Sequence, residues 1–183
     1  GSVVVVFGAG GVGLSAIQGA AVAGARMIVA VDIDDFKLGL AKTLGATHTL
    51  NSKGDEAIVK TVRKLTDGGA DYAFECVGSG ELAATAYGVL RKGGQAVVVG
   101  VAGAKETTTL RTASLTFDEK SIGGSYFGSA RPRVDAPRIL GLYKAGKIKL
   151  DELITRTYPI AEAPQAFADL QAGRNARGVI VFG

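Results

Sequence analysis

The chain has 183 residues, 47% of them apolar and 27 of them glycine, enough for one α/β domain with a well-buried core or one domain and a short appendage. A single cysteine (Cys76) and a single histidine (His48) exclude a disulfide framework and any multi-ligand Cys/His metal site within these residues, and point to a reducing, cytoplasmic setting. The formal charge of +4 comes from scattered Lys and Arg, which argues against nucleic acid as a partner, and no apolar run approaches the roughly 18–20 residues of a membrane span.

In chain order, Val3–Phe7 reads as a fully buried parallel strand, short, branched and continuous in apolarity. An Ala-rich helix over 12–23 ends at Gly24, and a second buried strand over 27–31 closes on Asp32. A helix over 35–44 stops at Gly45, followed by a short strand at 47–50 and an amphipathic helix at 56–65 ending before Gly68-Gly69. A fourth strand at 72–75, a helix at 81–90 and a fifth strand at 96–99 follow. A sixth strand spans 121–127 despite Gly123 and Gly124, and a helix over 133–145 stops at Gly146. Six strands alternating with helices of about ten residues predict a doubly wound parallel sheet over residues 1–150, with its ligand outside the carboxyl ends of the strands. Residues 151–183 read as strand (153–158), helix (163–172) and strand (178–182), a segment that either extends the same sheet or belongs elsewhere.

The chemistry concentrates at Gly8-Ala9-Gly10-Gly11-Val12-Gly13, between the first strand and the first helix. G-x-G-x-x-G is weak alone, but strand before, helix after and an acid at the end of the next strand make it the fingerprint of a dinucleotide-binding βαβ unit. Gly8 lets the chain turn sharply, Gly10 leaves room for a diphosphate, and Gly13 lets the helix approach the sheet. The unpaired N–H groups and positive end of that helix face the phosphates. Asp32 is placed to accept from both hydroxyls of the adenosine ribose and to repel a 2′-phosphate, and Ile33-Asp34-Asp35 supply no arginine to receive one. The expected cofactor is NAD rather than NADP. Asp32 as a helix N-cap is the competing reading, which Asp34 and Asp35 can fill instead.

Val6-Phe7-Gly8-Ala9-Gly10-Gly11-Val12-Gly13-Leu14-Ser15, then Val31-Asp32-Ile33 with Lys37 five residues past Asp32, resembles the zinc-dependent alcohol dehydrogenases of the medium-chain dehydrogenase/reductase superfamily. Leu44-Gly45-Ala46-Thr47, Gly69-Ala70-Asp71-Tyr72 with Phe74-Glu75, Gly93-Gly94, Val99-Gly100-Val101, Gly124-Ser125-Tyr126-Phe127-Gly128 and Gly173 with Arg177-Gly178-Val179-Ile180 match in order and at family spacing. The resemblance covers essentially the whole chain. It implies a Rossmann domain that binds NAD(H), for reversible oxidation of an alcohol to an aldehyde or ketone. It further implies Lys37 beside Asp32 at the ribose, Val12 behind the nicotinamide, and Cys76 and Val77 bordering the adenosine side. Val99, Gly100 and Val101 would lie at the nicotinamide end, Ser125 and Phe127 would offer backbone groups to the carboxamide, and Arg177 would reach the diphosphate. The family's partners follow: NAD(H), an alcohol or aldehyde, and a second copy of the chain paired through the sixth strand.

The departure from the family is as informative. Family members carry catalytic zinc on Cys and His residues of a β-rich domain preceding the first Rossmann strand, and no such residues stand here. The expectation is a cofactor-binding portion without catalytic or metal-ligating residues of its own, binding NAD without turnover. Cys76 and His48 read as structural. Tyr143 and Lys147 with Ser129 imitate a short-chain dehydrogenase constellation, but Gly146 interrupts the helix that geometry needs, and the glycine spacing is wrong for that family. The rivals are a zinc-free quinone or enoyl reductase, which Asp32 disfavours, and a non-catalytic NAD-sensing module.

Overall fold

The computed structural model describes residues 1–183. Its centre is set by the two most apolar runs: β1 (Val3–Phe7) is buried at every position and β2 (Met27–Asp32) at its four middle ones. Strands apolar on both faces belong inside a parallel sheet covered from both sides. Around them β3 (His48–Asn51), β4 (Ala70–Glu75), β5 (Leu90–Val98) and β6 (Ser121–Gly124) complete six strands in the order β3-β2-β1-β4-β5-β6, all pairs parallel. Helices α1 (Gly11–Val22) and α2 (Asp35–Thr43) carry the chain outward from β1 to β3. Then α3 (Ile58–Leu65) returns it to the other side of β1, and α4 (Gly80–Gly88) leads from β4 to β5. This is the Rossmann order, with its reversal between β1 and β4.

Alternation along the strands divides the core into two layers. Val4, Val6, Ile28 and Ala30 pack with Leu14 and Ile17 of α1 and Leu38 and Ala41 of α2. Val3, Val5, Phe7, Val29 and Val31 point the opposite way, towards Val62 of α3 and Ala86 and Tyr87 of α4. Burial of each such branched or aromatic side chain contributes roughly 1.5–3 kcal/mol, so the strands that carry the crevice are also its most rigid support.

The sequence-based elements hold with informative exceptions. The helix expected over 81–90 ends at Gly88, and Leu90 already pairs with Ala70, so β5 begins six residues before the expected 96. The register then shifts before Tyr72 pairs with Gln95. Gly94 sits where a Cβ would lie 2.9 Å from the Ala70 carbonyl oxygen, which explains why a strand accommodates Gly93-Gly94 as an irregularity. The sixth strand stops at Gly124 rather than 127. Phe127 and Ser129 have φ of 50° and 51°, in the left-handed region where a strand cannot continue. A short helix, α5 (Thr112–Phe117), has no buried residue and left no apolar periodicity to read.

Beyond the sheet, α6 (Pro132–Lys144) also buries no side chain. The strand expected from 153 begins later: residues Asp151–Leu153 form a 3-10 turn and β7 (Arg156–Pro159) follows. β7 pairs only with β8 (Gly178–Val181), across helix α7 (Ala163–Gln171), in a separate two-stranded parallel sheet. The segment therefore does not extend the main sheet, yet it is fastened to it. Leu153 and Ala176 join the α1/α2 core layer, and just ahead of the segment Gln18 of α1 donates to the Lys149 carbonyl at 3.0 Å and accepts from its N–H at 2.6 Å.

Candidate functional site

At the carboxyl end of β1 the chain must turn at once into α1. Gly8 does so at φ +90°, where any Cβ would also fall 2.5 Å from a Val77 methyl. At Gly13 the constraint is close packing: a Cβ would stand 1.7 Å from the Gly8 carbonyl oxygen. Gly10 has nothing within 4 Å of its Cβ position, so the bare backbone there borders open space rather than protein. No side chain caps α1, its first turn holds no acid, and the N–H groups of Gly11, Val12 and Gly13 find no acceptor within the chain. Such a helix end presents three donors and a positive partial charge to an anion.

Asp32, at the end of β2, closes one side of this turn. Its Oδ2 accepts from the Ala9 N–H at 2.6 Å, and its Oδ1 from the N–H groups of Ile33 (2.8 Å) and Asp34 (3.0 Å). The N-cap of α2 is Asp34, which accepts from the Phe36 N–H at 2.9 Å, so Asp32 is not the cap. A carboxylate has about four lone-pair positions. Three are taken, which leaves Oδ2 with one open acceptor and makes a grip on two ribose hydroxyls depend on releasing a loop N–H.

A cleft of about 260 Å³ joins these parts, lined by Gly8, Asp32, Lys37, Ser52, Val77 and Leu82 among others. It lies at the reversal between β1 and β4, where ligands of doubly wound sheets bind. A larger groove of about 520 Å³, between α1 and β4, is lined mainly by alanines with Val4, Tyr72 and Phe74 and has no charged residue. With no charged side chain to meet a diphosphate it fits a dinucleotide less well than the smaller cleft, which is the candidate site.

The structure thus brings Gly8, Asp32, Lys37 and Val77 to one cleft, with Gly10, Gly11, Val12 and Gly13 on the adjoining turn. Val12 is 53% exposed at the first turn of α1. Arg177 arrives from the far end of the sequence, its Nη2 3.6 Å from the Cβ position of Gly11. Cys76 is half-buried and packs against the α1/α2 core layer, where burial and then the Glu75 charge push its thiol up to about 12. It is an inert thiol whose N–H bonds the Phe7 carbonyl at 2.9 Å.

Val99, Gly100, Val101, Ser125 and Phe127 stand along the same edge, beyond the ends of β5 and β6. The N–H groups of Val99 and Gly100 donate to the Glu75 carbonyl, and that of Ser125 to the Val98 carbonyl. Val101 and Phe127 are 84% and 80% exposed, with no partner across them. The Phe127 ring meets that of Tyr126 edge to face, with centroids 4.8 Å apart.

Two residues that sequence reasoning passed over organise the site. Glu75 is fully buried and its Oε1 accepts from the N–H groups of Val77 and Gly78, both at 2.7 Å, fixing the turn that touches Gly8. Ser52 lines the cleft from the end of β3. An acid inside an apolar strand was the available signal for Glu75; Ser52 had none.

No group of three or more His, Cys, Asp and Glu side chains is arranged to hold a metal ion, and His48 bonds only its neighbour Thr47. The residues present do not fit a catalytic zinc. Tyr143 donates to Asp151 at 2.6 Å, and that hydrogen bond raises its phenol, opposite to what an acid/base tyrosine requires.

Comparison with known proteins gives the family of the chain. Residues 11–143 match the family model described as zinc-binding dehydrogenase. An NDMA-dependent alcohol dehydrogenase of Amycolatopsis methanolica is 44% identical over 185 residues, covering 99% of this chain and 49% of its own length. Benzyl alcohol dehydrogenase from Acinetobacter calcoaceticus superposes with a TM-score of 0.94 at 37% identity, over all of this chain and 50% of that one. A protein of Sinorhizobium meliloti 1021 assigned to the zinc-binding dehydrogenases, bound to NADP, superposes with a TM-score of 0.87 at 27% identity, over 99% and 52%. The chain therefore spans about half the length of the relatives it matches. It belongs to the zinc-binding dehydrogenase family.

Proposed function

We propose that residues 1–150 are the NAD(H)-binding domain of a zinc-dependent alcohol dehydrogenase of the reducing cytoplasm, and that residues 151–183 serve a separate zinc-bearing catalytic domain. The observation that carries this reading is the convergence of an uncapped helix end, the bare Gly10, Asp32 and Lys37 on one crevice. The N–H groups of Gly11, Val12 and Gly13, with Arg177 beside them, would hold the diphosphate. Lys37 and Asp32 would hold the adenosine ribose, the open acceptor on Asp32 Oδ2 being available to a hydroxyl. Cys76 and Val77 border the adenosine side. A 2′-phosphate would meet the Asp32 carboxylate, which favours NAD over NADP. Val12, Val99, Gly100, Val101, Ser125 and Phe127 would border the nicotinamide.

When bound, the cofactor supplies hydride transfer at its nicotinamide, and the residues of this chain bind and orient it. The parent reaction is the reversible oxidation of an alcohol to an aldehyde or ketone. Alone, the 183 residues bind NAD(H) without turnover, because one cysteine and one histidine do not assemble a zinc site. β6 ends the sheet with one edge unpaired, the place for a second copy to add its own β6. Fluorescence titration with NADH beside an alcohol oxidation assay tests the reading. Saturable binding without oxidation is expected, whereas alcohol oxidation by the purified chain overturns its incompetence. A light-scattering mass of one chain counts against the dimer.

A further inference from the structure

Arg177 reaches the first turn of α1 from a segment more than 160 residues away in sequence, and a buried carboxylate holds that segment in place. Asp169, on α7, has a side chain 2% exposed. It accepts from the Tyr158 hydroxyl (2.7 Å), Arg156 Nη1 (2.8 Å), Gln165 Nε2 (2.7 Å), and both Nε (2.8 Å) and Nη2 (2.7 Å) of Arg174. The Arg174 N–H also donates to the Asp169 carbonyl at 2.9 Å, and buried Asn175 donates to the Tyr158 hydroxyl at 3.0 Å. One side chain thus binds β7, α7 and the start of the turn that leads into β8.

Thr155 secures the end of the same turn. Its hydroxyl accepts from the N–H groups of Ala176 (3.1 Å) and Arg177 (3.3 Å) and donates to the Arg177 carbonyl (3.2 Å). The turn so fixed lies against the cofactor crevice at two points. The Ala176 carbonyl oxygen is 3.2 Å from the Cβ position of Gly11, beside the Arg177 guanidinium, and Lys37 Nζ is 3.3 Å from that of Gly173. A carboxylate taken out of water adds little net stability over apolar packing even when fully paired. What the Asp169 hub supplies is a single geometry for the residues it holds.

We propose that Asp169 is a positioning residue for diphosphate recognition: with Tyr158, Arg174 and Asn175 it sets the turn over 172–177 so that Arg177 stands at the N-terminus of α1, and Thr155 locks the Arg177 backbone. The inference rests on the crevice being an NAD(H) site. A flexible arginine loses affinity to the ordering it undergoes on binding, and a fixed backbone removes part of that loss.

The test is titration of the 183-residue chain with NADH, ADP-ribose and adenosine, for Arg177→Gln, Asp169→Asn, Thr155→Val and the Asp169→Asn/Arg177→Gln double variant. Arg177→Gln and Asp169→Asn should each weaken NADH and ADP-ribose about tenfold, the scale of one charge-assisted hydrogen bond, with adenosine within about twofold. The double variant should be no weaker than Arg177→Gln alone, because the effect of Asp169 on the diphosphate is routed through Arg177. Thr155→Val, which keeps the hub and the side-chain shape, should show the same split between ADP-ribose and adenosine and reads the proposal if Asp169→Asn does not fold. Equal loss of adenosine and ADP-ribose, unchanged ADP-ribose affinity in both single variants, or full additivity in the double variant overturns it. A wild-type chain that binds neither NADH nor ADP-ribose overturns the cofactor reading and this inference with it. A chain that binds both, with Arg177→Gln silent, overturns only the role of Arg177 and of the residues behind it.

Discussion

The two ends of the candidate cofactor track are built differently. On the adenosine side, β1, β2 and β4 converge so closely that Gly8 touches Val77, Asp32 ties its own loop to Ala9, and Glu75 ties down the next turn. At the other end, past β5 and β6, Val101 and Phe127 project into solvent. The first region is closely packed around its turns, whereas the second leaves large apolar side chains open to solvent. The contrast teaches that binding energy in this chain should come from the adenosine and diphosphate, with little from the nicotinamide.

The largest effect should follow from filling the closest approach on the closely packed side. Gly13→Val would drive a side chain into the Gly8 carbonyl and part α1 from β1. We expect a loss of roughly 3 kcal/mol in urea unfolding, at the upper end of overpacking costs, together with loss of NADH binding. Asp32→Ser should come next, lowering the preference for NADH over NADPH by about 10–100-fold in paired titrations, the scale of one hydrogen bond to a charged group. An unchanged preference would remove Asp32 from the ribose site.

A direct comparison of the two ends uses the ligand itself. ADP-ribose, which lacks the nicotinamide, should bind within about threefold of NADH, since the missing ring would meet side chains largely open to solvent. A much larger gap would show that the β5–β6 end is a better surface than its exposure indicates. Phe127→Ala, at a residue 80% exposed, should change stability by less than about 0.5 kcal/mol.

Acid should reveal the Asp169 hub. The Tyr158 hydroxyl, then Arg174 and Gln165, hold its carboxyl down at about 2, against an ordinary 3.8. A carboxyl depressed by folding stabilises the native state above its unfolded pKa, and that contribution drains away as pH falls from about 4 through 2. Melting temperatures measured down this range should fall more steeply for the wild-type chain than for Asp169→Asn. Parallel curves would mean that the carboxylate is not held in this way.

Much of this was readable from residue pattern alone. Buried strands announce themselves by unbroken apolar runs, and the glycine spacing with Asp32 pointed to the crevice because Gly8 and Gly13 each answer a local steric demand while Gly10 borders open space. What escaped was non-local. Leu90 looks helical until Ala70 pairs with it, and α5 has no buried face to leave a pattern. The open choice for residues 151–183 depended on the pairing of β7 with β8 and on the packing of Leu153 and Ala176, which no periodicity encodes. Asp169 is one acid on a short helix in the sequence, and only the fold gathers its five donors.

The central claim is that the carboxyl edge between β1 and β4 is an NAD(H) site read by Asp32. Titration calorimetry of the 183-residue chain with NADH and NADPH tests it most directly. NADH should bind at one site per chain, with NADPH at least about tenfold weaker. Equal or tighter binding of NADPH, or no saturable binding of NADH, would contradict the account.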